Sequence, residues 1–255
     1  MILITIFSHL KMSDYEKFSN VITMLKRRGD DVSHFENILK DFGLYFQNMI
    51  SAPENYTIIY QILQSKTDKK NTISSGHAMS FLYKDRNNLI TLVFFTHSVK
   101  SVLGDQIETL QKILFELEKN YPVQNIIIVA QHNLHFKAKS ILSISENSYF
   151  IQFFLNIEIS SDPTDYTFGS TKIEVFDEKQ TAEFFLSNKL TPNMVPCIPI
   201  SDIIPKYLGV KKGVIIKTTD KSLIPDVINK EYVDFSFTYE KSTDTVKPKI
   251  NKKSK

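Results

Sequence analysis

The segment NIIIVA, residues 125–130, constrains the fold of this chain more than any other stretch. Its four consecutive β-branched residues leave no polar face, which is typical of a strand buried on both sides. The preceding segment, GDQIETLQKILFELEKNY, predicts an amphipathic helix, because Ile107, Leu110 and Leu114 recur on one face. A strand, a helix and a buried strand in this order form a crossover unit, so a parallel sheet is expected.

The segments nearer the start of the chain supply the other elements of this unit. AMSFLYK and LITLVFF flank the turn-forming residues 85–88, DRNN, and predict a β-hairpin. DYEKFSNVITMLKRR has apolar residues at helical spacing and is followed by Gly29, a suitable C-cap. A second helix is predicted through FENILKDFGLYFQNMI, and residues 66–76 have the composition of a loop.

The rest of the chain indicates a second, smaller domain. Residues 159–171 have the turn-rich composition of a boundary. Beyond them, Asp177 is placed to cap a helix that ends near Asn188, and VIIKTT and VDFSFTY are short strand candidates. We therefore predict an α+β fold class. A mixed α/β domain covers residues 12–160, a small α+β domain covers 165–239, and a basic disordered tail covers 240–255.

The segment SDIIPKYLGVKKGVIIK, residues 201–217, holds two of the seven glycines. Glycines this close in a basic setting fit a phosphate cradle, a tight turn or a docking surface. A phosphate cradle needs its glycines before a helix, whereas Gly209 and Gly213 follow the predicted helix IIPKYL and precede a strand. We predict that Ser201 or Asp202 caps this helix, that Gly209 ends it, and that Gly213 permits the next turn.

Charge and cysteine content limit the classes of function. The chain has 31 basic and 28 acidic residues, and five of the lysines lie in the last nine residues, KPKINKKSK. The remaining chain is slightly acidic, which excludes a strongly basic nucleic-acid-binding body. The tail is expected to be a solubilising segment, a weak hold on nucleic acid or a nuclear address. Cys197 is the single cysteine, so a reducing intracellular compartment is favoured.

The first residues, MILITIFSHLK, argue against a signal peptide. They lack a basic n-region and a small-residue cleavage site, and Met12 is an alternative start. The chain has no apolar run near the roughly 20 residues that a membrane helix needs.

The sequence contains none of the common catalytic motifs: GxxxxGK[ST], GxGxxG, CxxC, HExxH and GxSxG are all missing. His132 and His135 lie close together after the buried strand, but three metal ligands would need a carboxylate partner that the sequence does not indicate. Asp177 and Lys179 have the acid-x-Lys form of some nucleases, yet they fall at a predicted helix start. We expect no catalytic residue, no cofactor and no metal ligand.

Residues 189–217, KLTPNMVPCIPISDIIPKYLGVKKGVIIK, resemble the C-terminal assembly domain of the fifth subunit common to eukaryotic nuclear RNA polymerases, a family that also has archaeal members. That family shows Leu-Pro-x-Ile, then Asp-Pro-Val, a basic residue and Tyr, then x-Gly-x-Lys-Arg-Gly and a strand ending in Lys. The matching positions are Val195, Pro196, Ile198, Asp202, Lys206, Tyr207, Gly209, Lys211, Lys212, Gly213 and Lys217.

The resemblance extends more weakly upstream. MLKRRGDDVS is similar to the family's Arg-Gly-Tyr-x-Val helix end, and NIIIVAQHNLHFKAKSIL is similar to its buried strand and Thr-Pro-Ser-Ala-Lys loop. Where the family has a proline after Asp202, this chain has Ile203. This divergence and the Lys/Ile/Asn-rich composition favour a large-DNA-virus homologue.

The resemblance implies a non-catalytic subunit of a DNA-directed RNA polymerase that acts in transcription. The C-terminal domain is expected to dock on the largest subunit, and the N-terminal domain to form part of the jaw beside downstream duplex DNA. Weak, sequence-independent DNA binding is expected through phosphate contacts of His135, Lys137 and Lys139, in a loop that runs from His132 to Lys139. The expected docking residues are Ser201, Asp202, Lys206, Gly209, Lys211, Lys212, Gly213 and Lys217.

No membrane and no small-molecule substrate is expected. The location is expected to be intracellular: host cytoplasm and virion for a viral protein, nucleus for a cellular one. Two alternatives stay open, a metal-dependent nuclease-like enzyme and a free-standing interaction module in transcription.

Overall fold

The computed structural model describes residues 12–40, 59, 62, 77, 79–96, 102, 104–145, 148–164, 172–221 and 231–239. The predicted loop at 66–76, the second half of the predicted helix at 35–50, and the basic tail at 240–255 lie outside these residues. The chain divides into two compact units between Pro163 and Thr164, and each is described by itself. Helices and mixed sheets make up both units, so the fold class is α+β as predicted.

The N-terminal unit contains a four-stranded sheet in the order β1-β2-β3-β4. Its described elements are α1 (Met12–Arg27), α2 (Ser33–Lys40), β1 (Phe81–Lys84), β2 (Ile90–Phe95), α3 (Gly104–Leu117), β3 (Val123–Ala130), α4 (Phe136–Ser145), β4 (Phe150–Leu155) and α5 (Asn156–Ile159). Strands β1 and β2 are antiparallel, which confirms the predicted hairpin. Strand β2, helix α3 and strand β3 form the predicted crossover unit, since β2 and β3 are parallel.

Strand β3 lies at the centre of this unit, as its sequence predicts. It pairs in parallel with β2 on one edge and with β4 on the other. Its residues from Ile126 to Ala130 are all buried. A strand with two paired edges and two covered faces satisfies every backbone group while it buries a continuous apolar run.

The turn between β1 and β2 sets the register of the hairpin. The Asp85 carboxylate accepts hydrogen bonds from the backbone N–H groups of Asn87, at 2.8 Å, and Leu89, at 2.9 Å. Asn88 adopts a positive φ of 60°, which asparagine tolerates better than most residues. The Asn125 side chain on β3 donates to the same carboxylate at 3.0 Å, so the turn is fastened to the central strand.

Phenylalanines pack the first two helices against the hairpin. Phe35 of α2 lies 4.4 Å from Phe81 of β1 between ring centroids, and Phe18 of α1 lies 5.4 Å from the same ring. Phe95 of β2 completes the group at 6.2 Å from Phe18. Offset and edge-to-face pairs of this kind stabilise a core beyond the area that they bury.

Helix α1 ends in the glycine cap that the sequence predicts. Gly29 has φ 82°, and its N–H donates to the Lys26 carbonyl at 3.0 Å. The Asp30 N–H donates to the Leu25 carbonyl at 3.1 Å. These two bonds form a Schellman motif, which satisfies carbonyls that the end of a helix leaves without partners.

Asp30, the residue after this cap, joins α1 to the hairpin. Its buried carboxylate accepts from the Tyr83 hydroxyl at 3.1 Å and from the Arg86 backbone N–H at 2.8 Å. The Arg86 guanidinium donates to the Arg28 carbonyl at 2.7 Å. Burial raises the pKa of Asp30, and this effect exceeds the lowering by its hydrogen bonds and by the Arg28 charge.

The C-terminal unit contains a mixed sheet in the order β5-β7-β8-β6. Its described elements are β5 (Lys172–Val175), α6 (Glu178–Asn188), a 3-10 turn (Pro192–Met194), β6 (Cys197–Pro199), α7 (Ile203–Tyr207), β7 (Ile215–Lys221) and β8 (Glu231–Tyr239). Strand β7 is antiparallel to β5 and β8, whereas β6 is parallel to β8. The strands predicted from VIIKTT and VDFSFTY are β7 and β8.

Helix α6 begins and packs as its sequence predicts. The Asp177 carboxylate accepts from the Gln180 N–H at 2.7 Å, and the Gln180 side chain accepts from the Asp177 N–H at 2.9 Å. This reciprocal pair is a capping box. Phe184 and Phe185 contact Phe235 and Phe237 of β8, at 4.6 and 5.5 Å between ring centroids.

We expect Asp30→Asn to change the pH dependence of stability. The pKa of Asp30 is raised in the folded chain above its ordinary value of 3.8, so its contribution is fully present below that value and is lost as the pH rises through the folded-state pKa. Asparagine does not titrate, and its side-chain oxygen can still accept from Arg86. The unfolding free energy of wild type minus that of Asp30→Asn, measured in urea, should fall as the pH is raised towards neutrality.

Asp31→Asn serves as the matched control, because the sign is reversed at the neighbouring residue. Hydrogen bonds from the Ser33 hydroxyl and N–H lower the pKa of Asp31. Its contribution is therefore present above the ordinary pKa and is lost as the pH falls. The unfolding free energy of wild type minus that of Asp31→Asn should therefore rise as the pH is raised. A common direction for both variants would contradict the assignment of Asp30 as the desolvated carboxyl.

Candidate docking surface

Helix α7 ends at a glycine that adopts a left-handed conformation, as the sequence predicts. Gly209 has φ 65°, its N–H donates to the Lys206 carbonyl at 3.2 Å, and the Val210 N–H donates to the Pro205 carbonyl at 2.8 Å. The pair is a second Schellman motif. Asp202 stands at the N-cap position, but its side chain makes no capping hydrogen bond. The sequence therefore placed the helix correctly, and the predicted capping bond by Asp202 is wrong.

Lys211, Lys212 and Gly213 form an exposed turn between α7 and β7, which we call the lysine turn. Val210 before it and Val214 after it are both buried and hold its two ends. Gly213 has φ 88°, which confirms the positive φ that the sequence predicts. The two lysine side chains are thus displayed from a short segment whose ends belong to the core of the unit.

Thr238 on β8 fastens the lysine turn, and the sequence did not single it out. Its hydroxyl oxygen accepts a hydrogen bond from the Val214 N–H at 3.0 Å. The one hydroxyl proton has two carbonyl oxygens within reach, that of Lys211 at 2.9 Å and that of Val214 at 3.0 Å. Its backbone carbonyl accepts from the Gly213 N–H at 2.9 Å. With 1% of its surface exposed, Thr238 is a buried polar residue whose bonds all go to this turn and its flank.

A second buried threonine accepts a hydrogen bond from the backbone N–H of the residue that follows Val214. The Thr181 hydroxyl on α6 accepts from the Ile215 N–H at 3.2 Å. Thr181 is 5% exposed. Threonine hydroxyls therefore accept hydrogen bonds from the N–H groups of two successive residues at the start of β7. Of these two threonines, only Thr238 also contacts the lysine turn.

The other predicted docking residues lie beside the turn at different depths. Ser201 and Asp202 are exposed before α7, and Lys206 is half-buried on this helix. Tyr207 and Leu208 are buried in the core, whereas Ile198 on β6 is half-buried. The exposed members of the predicted set thus lie before and after α7.

Lys217 lies on β7 and contacts an acidic residue of the neighbouring strand. Its ammonium group lies 3.2 Å from the Glu174 carboxylate on β5, and Lys172 also contacts that carboxylate. The two lysines lower the pKa of Glu174, with Lys172 as the larger cause. The structure assigns Lys217 an intrachain partner, so its charge is partly neutralised before any other protein approaches.

The predicted DNA-proximal residues lie in the N-terminal unit at the start of α4. The sequence placed residues 132–139 in a loop, but α4 begins at Phe136, so Lys137 and Lys139 belong to a helix. The physical reason is the burial of Ala138 and Leu142, which gives the segment an inward face. His135, Lys137 and Lys139 are all exposed.

Helix α3 partly positions Lys137. A side chain at Gly104 would meet the Lys137 alkyl chain at 3.0 Å, so the alkyl chain lies close to the first turn of α3. The Lys137 ammonium lies 3.4 Å from the Glu108 carboxylate. Such exposed ion pairs stabilise proteins by at most about 1 kcal/mol, and the Lys137 charge therefore stays available to another anion.

The residues considered for metal chemistry have other surroundings. The Asp177 carboxylate caps α6, and the His135 ring accepts from the Lys137 N–H at 3.4 Å. Among the described residues, no three His, Cys, Asp or Glu side chains are grouped as they would be around a metal ion. Cys197 is exposed, and its thiol lies 3.5 Å from the Val195 carbonyl.

No protein-family model matches this chain, and no curated protein matches it significantly. Within the described ranges, no helix has both the length and the apolar character needed to cross a membrane.

We expect Gly209→Val to lower the unfolding free energy by about 1 kcal/mol or more, because a β-branched side chain is strained at positive φ. Gly209→Asn should cost less, since asparagine is tolerated in this conformation. Both variants can be compared by urea unfolding. Equal stability of wild type and Gly209→Val would contradict the role of Gly209 as a helix cap.

Proposed function

We propose that this chain is a non-catalytic subunit of a multisubunit DNA-directed RNA polymerase. Its C-terminal unit docks on the largest subunit, and its N-terminal unit lies in the jaw beside downstream duplex DNA. The chain supplies binding surfaces to transcription, and the catalytic subunits supply the chemistry. The role is intracellular, in the host cytoplasm and virion of a large DNA virus.

One observation carries this proposal. The positions that resemble the polymerase-subunit pattern form one continuous piece of structure, from the helix α7 through its Gly209 cap and the lysine turn to Lys217 on β7. The pattern's glycines occupy the two positive-φ positions, and its lysines occupy the exposed turn between them. The glycines and lysines of the pattern therefore have structural roles in this chain, and this supports the resemblance as more than a chance match of residues.

The lysine turn suits docking on another protein better than binding of nucleic acid. Apart from its last nine residues the chain is slightly acidic, so a general attraction to phosphate is weak. Two exposed lysines on a fixed turn give local charge complementarity to an acidic surface. Such complementarity supports the choice of partner and the rate of association more than raw affinity.

The N-terminal unit carries the proposed DNA contact. His135, Lys137 and Lys139 lie together at the exposed start of α4. Cations at this position reach phosphates without reading bases, which suits a subunit that meets every downstream sequence in turn. The docked assembly, and not this patch alone, supplies the affinity for DNA.

The direct test is a pull-down with a tagged copy of the chain. We expect the two largest polymerase subunits to co-purify with it stoichiometrically. Lys211→Glu/Lys212→Glu should weaken this association by about 10-fold or more at low ionic strength, because two reversed charges face an acidic partner. The affinity can be measured by titrating the purified variant against the polymerase that lacks this subunit.

Lys179→Glu/Lys189→Glu is the matched control for charge, because both residues are exposed in the same unit outside the lysine turn. It should bind within about 2-fold of wild type if the effect is local. Elution of the native protein near its own mass, without polymerase subunits, would instead support a free-standing interaction module. Metal-dependent nuclease activity that is lost on changing Asp177 or His132 would support an enzyme.

The proposed DNA contact predicts a change in salt dependence. In the assembled polymerase, Lys137→Gln/Lys139→Gln should reduce the slope of log affinity against log salt by about 2, roughly 0.9 for each lost phosphate contact. Lys112→Gln/Lys119→Gln, on exposed positions of α3 and its end, should leave the slope unchanged. An unchanged slope for the first pair would remove α4 from the DNA interface.

A further inference from the structure

We infer that Thr238 is the positioning residue of the docking surface: its side chain holds the lysine turn so that Lys211 and Lys212 are presented together to an acidic segment of the partner. This inference rests on the proposed function and names the residue and the partner chemistry on which docking depends. Thr238 itself stays buried and touches no partner.

The geometry of Thr238 carries this inference. Its hydroxyl reaches the Lys211 carbonyl on one side of the turn, at 2.9 Å, and the Val214 N–H on the other side, at 3.0 Å. A single side chain thus spans the turn from its first residue to the residue after its end. Without that hydroxyl, the buried Val214 N–H loses its acceptor, which disfavours the compact form of the turn.

The chemistry of the surrounding segment indicates the class of partner. Residues 203–219 carry four lysines and no acidic residue. Lys211 and Lys212 are exposed at adjacent positions of the lysine turn. Two ammonium groups held on a fixed backbone match a segment with neighbouring carboxylates. A rigid turn also loses less conformational freedom on binding, so its affinity exceeds that of the same lysines on a loose loop.

Thr238→Val tests the role of the hydroxyl with little change in volume. We expect it to lower the affinity for the polymerase that lacks this subunit by about 5-fold, which corresponds to the loss of one hydrogen bond. Thr238→Ser keeps the hydroxyl and should bind within about 2-fold of wild type. The amide exchange of Val214 and Gly213, followed by NMR on the full chain, should accelerate in Thr238→Val and not in Thr238→Ser.

Thr181→Val separates positioning from stability. Thr181 is also buried, and its hydroxyl accepts from Ile215, the residue next to Val214, but it does not reach the turn. Thr181→Val also leaves a buried N–H group without its acceptor, so it should lower the free energy of unfolding but leave docking unchanged. An equal loss of docking in both variants would overturn the inference.

A double-mutant cycle distinguishes an effect of Thr238 on the two lysines from a general effect on stability. In the Lys211→Gln/Lys212→Gln background, Thr238→Val should cause no further loss of docking, because its effect passes through the two lysines. An additive loss, or wild-type docking by Thr238→Val, overturns the inference and leaves the proposed function intact. Failure of the wild-type chain to bind the polymerase overturns both.

Discussion

The need to give every buried backbone N–H group an acceptor governs how strands begin and end in this protein. An unpaired buried N–H costs about 1–3 kcal/mol, and side chains supply the acceptor where no strand does. The Ser80 hydroxyl accepts from the N–H of Phe95, the last residue of β2. In the C-terminal unit, Thr238 and Thr181 accept from the two residues at which β7 begins.

This constraint also links the fold of the C-terminal unit to its proposed task. The lysine turn is exposed, but its Lys211 carbonyl and its Gly213 N–H are bonded to Thr238, a buried residue of β8. A docking surface made in this way is fixed before the partner arrives, so association costs less conformational entropy. Further along, Glu174 contacts the Lys217 charge within the unit.

Much of the fold followed from local signals. The apolar run of β3, the glycines at positions 29, 209 and 213, and the N-cap role of Asp177 each depend on residues close together in the chain, and the structure confirms all of them. The start of α4 and the missing capping bond of Asp202 differ from the prediction. The start of α4 depends on packing, since the buried Ala138 gives the segment an inward face. The missing capping bond of Asp202 has a local reason, because Pro205 stands at the third position of α7 and has no N–H to donate.

The sequence by itself determined where the hairpin and the crossover unit lie, where glycine must end a helix, and which lysines stand on a turn, because these follow from backbone sterics and periodicity. Only the tertiary structure decided the role of Thr238. In VDFSFTY it alternates with aromatic residues and falls on the polar face of the strand, which predicts exposure, yet it is buried. The turn that covers it is 24 residues away in sequence at Val214, and no local pattern indicates which distant backbone a strand residue will meet.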